Sequence, residues 1–139
     1  KPCTTSTTTS PITTNFRKTL DYDTLWNTSQ QILKTTFKLS SLRNQQPYAV
    51  SGALKGQNQI IIMATGGGKS LCYQLPGVVL PGLTLVITPL IALMIDQVQS
   101  LNAKGINAAM LSSVNGEKEN RGVLQRLLIS GKATQGDSN

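Results

Sequence analysis

The sequence predicts an α/β fold, a parallel sheet flanked by helices, and three observations carry that prediction. Short apolar runs at 59–63, 83–88 and 106–111 alternate with stretches of helical periodicity. The connections between them are long enough to hold the crossover helix that parallel pairing requires. The first run leads straight into Gly66-Gly67-Gly68-Lys69-Ser70, a glycine turn ending in a lysine and a hydroxyl. A turn of that composition between a strand and a helix is suited to holding phosphate.

The elements follow in order. Residues 1–22 are rich in threonine and serine, with too little apolar surface to offset the entropy of ordering, and are expected to form a disordered tail. Leu25, Trp26, Ile32, Leu33 and Phe37 recur at helical spacing and predict a helix over 23–37, with Asp23 or Thr24 as its cap. A second helix is expected over 43–55, burying Val50, Ala53 and Leu54 and closing at Gly56, with Pro47 removing an early helical hydrogen bond. The runs 59–63 and 83–88 read as fully buried strands, and 106–111 as a third. Helices are expected over 69–80 and 90–103, the latter with Leu90, Leu93, Met94, Val98 and Leu101 on one face and Gly105 beyond its end. A last helix over 115–130 is expected to close at Gly131. The remainder, 132–139, is polar and patternless where another buried strand would be expected, so the domain over 23–131 reads as incomplete.

Composition narrows the function classes. Thirteen Lys and Arg against six Asp and Glu give a net charge of +7, and no acidic residue falls between Asp23 and Asp96. Polyanions are therefore plausible partners. Two cysteines and no histidine exclude a disulfide framework and zinc-ligand spacing. No apolar run approaches the eighteen or so residues that span a bilayer, so no membrane role and a soluble, intracellular setting are expected.

The glycine turn specifies its chemistry. Thr65, Gly66, Gly67 and Gly68 let successive N–H groups point at an anion, Lys69 can reach β- and γ-phosphates, and the Ser70 hydroxyl can ligate Mg²⁺. The helix that follows adds its positive N-terminal end. The pattern G-x-x-x-x-G-K-[ST] is matched except at Met63, which stands where its first glycine would be.

Residues 64–76, Ala-Thr-Gly-Gly-Gly-Lys-Ser-Leu-Cys-Tyr-Gln-Leu-Pro, closely resemble the first motif of the RecQ family of DNA helicases, M-P-T-G-G-G-K-S-L-C-Y-Q-L-P. Residues 37–46 are similar to that family's upstream F-x-x-x-x-F-R-x-x-Q motif, and residues 86–97 resemble its V-I-S-P-L-x-S-L-M-x-D-Q. Methionine at position 63 is usual in that family. The resemblance implies a P-loop NTPase of RecA-like fold, using ATP and Mg²⁺ and acting on single-stranded or partly unwound DNA. It implies that Arg43 and Gln46 recognise adenine, a role suited to an amide that can donate to N7 and accept from N6. It also implies that residues 65–70 bind ATP, with Ser70 on the metal, and that Thr88, Pro89 and Leu90 contact DNA. Ala64 departs from the family's proline, Leu42 from an aromatic, and Pro47 directly follows the adenine-reading glutamine.

No Asp-Glu-Ala-His string follows Lys69 in the 139 residues. The expectation is therefore an N-terminal portion of a 3′-to-5′ RecQ-type helicase, nuclear in a eukaryote and otherwise cytoplasmic, unable to unwind DNA by itself. A non-catalytic ATP- or DNA-binding module and a degenerate remnant of a helicase gene are the alternatives, and a small-molecule kinase is disfavoured because nothing else in the chain resembles one.

Overall fold

A computed structural model of the chain describes residues 21–133. Most of the expected tail and of the polar C-terminal end lies outside these residues. Contacts divide the chain into two units, Lys1–Gly82 and Leu83–Asn139, each described by itself below.

The first unit is built on three helices, α1 (Tyr22–Thr35), α2 (Gln46–Leu54) and α3 (Lys69–Val79), which pack on one another. Its core is Leu25, Leu33, Phe37, Ala49, Val50, Leu54, Leu71, Cys72 and Leu75. Leu25 and Leu33 come from the predicted stripe of α1, Phe37 is buried just past the end of that helix, which stops at Thr35 rather than 37, and Trp26 and Ile32 are half-buried on its flank. Ser29 is also buried in this stripe, its hydroxyl donating to the Trp26 carbonyl at 2.7 Å, so the polar atom enters the core already satisfied. At the start of α1, the Tyr22 ring stacks on Trp26, lies under the Lys55 ammonium, and hydrogen-bonds Ser51 through its hydroxyl at 2.8 Å. These contacts join α1 to α2.

In the first unit the helix starts correct the sequence reading in two places. The residue before α1 is Asp21, so Asp23 lies within the first turn rather than at the cap. There its carboxylate faces the positive end of the helix. Helix α2 begins at Gln46 rather than 43, which puts Pro47 in the first turn, where its missing N–H has no helical acceptor to lose. Ala49, Val50, Gly52 and Leu54 are buried there, and Ala53 is only half-buried. Gly56 closes α2 as expected: at φ 74° its N–H reaches the Ala53 carbonyl, and the Gln57 N–H reaches that of Gly52.

The second unit contains α4 (Ile91–Ala103) and α5 (Glu117–Ala133). Gly105, at φ 77°, ends α4 by the same paired bonds, to Asn102 and Leu101. Of the predicted α4 stripe, Met94, Val98 and Leu101 are half-buried, and Leu90 and Leu93 are exposed. Helix α5 does not stop at Gly131 but runs through it to Ala133, since an interior glycine weakens a helix by only about 1 kcal/mol and need not end it.

The largest difference concerns the sheet. Among the described residues no strand is formed: 59–63, 83–88 and 106–111 carry no ladder, and Ile60, Ile62, Leu83, Leu85 and Ile87 are exposed rather than buried. A strand holds only against neighbours that share its hydrogen bonds and cover its faces. The first unit contains a single such segment, and in the second unit asparagine side chains take up the main-chain groups of 106–112 along one edge.

Candidate functional site

The predicted phosphate loop joins the 59–63 segment to α3, and its backbone is shaped by two glycines. Gly66 at φ 80° and Gly68 at φ 76° adopt the left-handed conformation that side-chain-bearing residues resist. Between them the Gly67 N–H closes a turn onto the Ala64 carbonyl at 3.1 Å. Gly68 is the residue immediately before α3, so the free N–H groups of the helix's first turn open at the end of this loop.

Lys69 is the first residue of α3, and side chains on a helix lean toward its N-terminus. The lysine therefore folds back over the loop it terminates. Its ammonium donates to the Met63 carbonyl at 2.9 Å and to the Ala64 carbonyl at 3.0 Å. Two of its three donors are thus used to fix its position, and the third remains to meet an anion. Lys69 is exposed, so its ammonium is accessible. Thr65 and Gly66 are exposed, and Gly67 and Ser70 are half-buried.

Gln46 is joined to the same loop. It is buried, 6% exposed, and its amide spans two main chains: Oε1 accepts from the Arg43 N–H at 2.9 Å, and Nε2 donates to the Gly68 carbonyl at 3.1 Å. The first bond reaches back across the start of α2 in the manner of a capping box. The second links α2 to the residue that sets the loop's left-handed turn. One amide N–H and one oxygen lone pair are left over. Asn44, at φ 50°, turns the chain between Arg43 and Gln46, a conformation asparagine adopts more readily than most residues. The Arg43 side chain is exposed.

Beneath the loop sits Cys72, 3% exposed, one helical turn after Gly68. Its thiol lies 3.9 Å from the Met63 sulfur and 4.0 Å from the Gly68 carbonyl oxygen. Burial pushes this thiol up from its ordinary range, and the backbone hydrogen bond opposes that shift. Cys72 is thereby a packing residue that supports the loop from below.

Arg43, Gln46 and residues 65–70 all belong to the first unit, and Gln46 and Lys69 both bond to the loop. Thr88, Pro89 and Leu90 belong to the second. Thr88 is half-buried, with its hydroxyl accepting from the Leu90 N–H at 3.5 Å, and Pro89 and Leu90 are exposed just before α4. What the sequence reading missed are the carbonyls of Met63 and Ala64 that hold Lys69, and the Gly68 carbonyl that holds Gln46. The signal for the first was the placement of Lys69 at a helix start. The second joins residues twenty-two positions apart and left no local signal.

A magnesium ion needs about six oxygen ligands. Among the described residues no group of three or more His, Cys, Asp or Glu side chains could hold a metal. The half-buried Ser70 hydroxyl is of the oxygen type such an ion takes, and the remaining ligands would have to be supplied by phosphate and water.

Comparison with known proteins bears on this site. The DEAD/DEAH box helicase family matches residues 43–134, from Arg43 through the loop and α5. The chain is 48% identical over 105 residues to the ATP-dependent DNA helicase RecQ of Haemophilus influenzae, covering 76% of this chain and 17% of that protein. It is 48% identical over 103 residues to the ATP-dependent helicase SGS1 of Saccharomyces cerevisiae, covering 71% and 7%. With the ATP-dependent DNA helicase Q-like 2 of Arabidopsis thaliana it shares 39% over 118 residues, covering 85% and 16%. The chain thus spans less than a fifth of the length of these relatives.

Proposed function

The chain belongs to the RecQ family of DEAD/DEAH box helicases, and we propose that it forms the ATP-binding portion of an ATP-dependent DNA helicase. The RecA-like P-loop fold follows from membership. The arrangement of the three apolar segments as a parallel sheet is part of the proposal, supported by their alternation with α3, α4 and α5. The relatives are named ATP-dependent DNA helicases, which supports ATP and DNA as ligands here.

The observation that carries the reading is the Lys69 ammonium, held on the Met63 and Ala64 carbonyls at the open end of a doubly left-handed glycine turn. In the proposed mode, the N–H groups of residues 65–68 and of the first turn of α3 receive the phosphate oxygens, and the free donor of Lys69 takes the β/γ charge. Magnesium, held through Ser70 and the nucleotide, neutralises phosphate charge. The spare donor and acceptor of Gln46 face adenine, with Arg43 alongside. Thr88, Pro89 and Leu90 meet the backbone of a single DNA strand, and translocation runs 3′ to 5′.

Unwinding by these 139 residues alone is not part of the proposal. Activating water and stabilising the leaving phosphate take a carboxylate pair and an arginine finger, and the finger alone is worth roughly 10³ to 10⁵ in rate. No Asp-Glu-Ala-His string is present to supply the pair. The purified chain, given ATP, Mg²⁺ and single-stranded DNA, is expected to release phosphate no faster than its Lys69→Ala variant. DNA-stimulated turnover lost in that variant would show that the chain completes its own catalytic site.

A further inference from the structure

The segment 106–112 alternates strictly between half-buried residues (Ile106, Ala108, Met110, Ser112) and exposed ones (Asn107, Ala109, Leu111), the period of an extended strand. In such a strand the N–H and C=O of one residue point to the same edge, and those of its neighbours to the other. On the even-numbered edge, asparagine side chains take up both polar groups of Ala108 and Ser112 and the carbonyl of Met110. Asn102, in the last turn of α4, accepts from the Ala108 N–H at 3.0 Å and donates to the Ala108 carbonyl at 3.1 Å. Asn120, in the first turns of α5, accepts from the Ser112 N–H at 3.4 Å and donates to the Ser112 carbonyl at 2.9 Å. Asn115, between them, donates to the Met110 carbonyl at 2.9 Å and to Asn120 Oδ1 at 3.2 Å. The main chain of Asn107, Ala109 and Leu111 makes no hydrogen bond among the described residues.

We propose, resting on the parallel sheet of the proposed function, that Asn102, Asn115 and Asn120 terminate that sheet at this segment, blocking one of its edges so that a second copy of the chain does not add a strand there. The side-chain type is what the task requires. An asparagine amide carries a donor and an acceptor on one planar group, as a peptide does, so a single residue answers both polar groups of a strand residue. Serine or aspartate answers one at a time. An open edge strand is a template for pairing with another chain, and the usual safeguards are charges, prolines, bulges or a covering element. Here each flanking helix contributes one amide, and from Ala108 to Ser112 this edge keeps only the Met110 N–H to offer a neighbour. The opposite edge stays available for pairing within the sheet.

The full chain and its Asn102→Ala, Asn120→Ala and doubly substituted variants test this. Amide hydrogen exchange is expected to quicken about five- to tenfold at Ala108 in the first variant and at Ser112 in the second, each leaving the other site unchanged. The double variant is expected to self-associate with rising concentration in sedimentation velocity, where the unmodified chain does not. Asn120→Asp keeps the acceptor for Ser112 N–H and should restore its slow exchange. Unchanged exchange at both amides, or a double variant that sediments as the unmodified chain does, would overturn the proposal. Should the variants fail to fold, the unmodified chain decides: nuclear Overhauser contacts from the Asn102 and Asn120 side-chain amides to Ala108 and Ser112 must be present, and their absence overturns it.

Discussion

At the scale of single residues, Gln46 holds structure with one amide and keeps the spare donor and acceptor that the proposed base contact would use. Its oxygen and nitrogen already bond to Arg43 and Gly68 from a buried side chain, so its removal takes away a partner of the Arg43 N–H and of the Gly68 carbonyl. Gln46→Ala is expected to lower unfolding stability by about 1–3 kcal/mol and, by loosening the base contact, to narrow the preference for ATP over GTP. Urea denaturation with parallel nucleotide titrations measures both, and unchanged stability would mean that the amide makes no internal bond of consequence. The sequence pointed to this residue by its place in a motif, and to Lys69 by the glycines before it. It was silent on burial, because Gly68 is brought to Gln46 only when α2 packs against α3. Position 69 was the easier case: a lysine that begins a helix leans back over the turn before it, whatever the rest of the fold does.

At the scale of elements, the turns that end helices were more legible than the strands between them. Gly56 and Gly105 both close their helices in left-handed conformations by bonds local to the chain, and local bonds leave local signals. Gly105→Ala is accordingly expected to destabilise the chain by about 1–2 kcal/mol, seen as a lowered thermal midpoint by circular dichroism; an unchanged midpoint would mean the turn is not formed. Gly131 misled the reading because a glycine near a helix end is permissive rather than prohibitive, and α5 passes through it. The three apolar runs were found by their hydrophobicity, yet that property reports what a segment would bury and not what it pairs with. Ile60 and Ile62 stand exposed in a unit offering no second segment of their kind, while α1, α2 and α3 find one another through Leu33, Val50 and Leu75. The asparagines that answer Ala108 and Ser112 were invisible for the same reason, since an asparagine at a helix end reads equally well as a cap.

At the scale of the whole molecule, charge bears on the partner class and the loop on the proposed ligand. The net charge of +7 favours polyanions without choosing among them. If Thr88, Pro89 and nearby cations make two or three phosphate contacts, affinity for single-stranded DNA should fall roughly tenfold between 50 and 200 mM salt. Fluorescence anisotropy over that range checks it, and tight binding indifferent to salt would contradict a phosphate-led contact. Nucleotide binding is the more direct test, because it asks for the chemistry proposed for Lys69, whose ammonium rests on the Met63 and Ala64 carbonyls. An equilibrium titration of the full chain with a fluorescent ATP analogue and Mg²⁺ should show saturable binding, reversed by excess ATP. Lys69→Ala should weaken it by about 1.5–3 kcal/mol, roughly ten- to a hundredfold, at unchanged helix content. Equal affinity in the two proteins would contradict the assignment of residues 65–70 as the phosphate site.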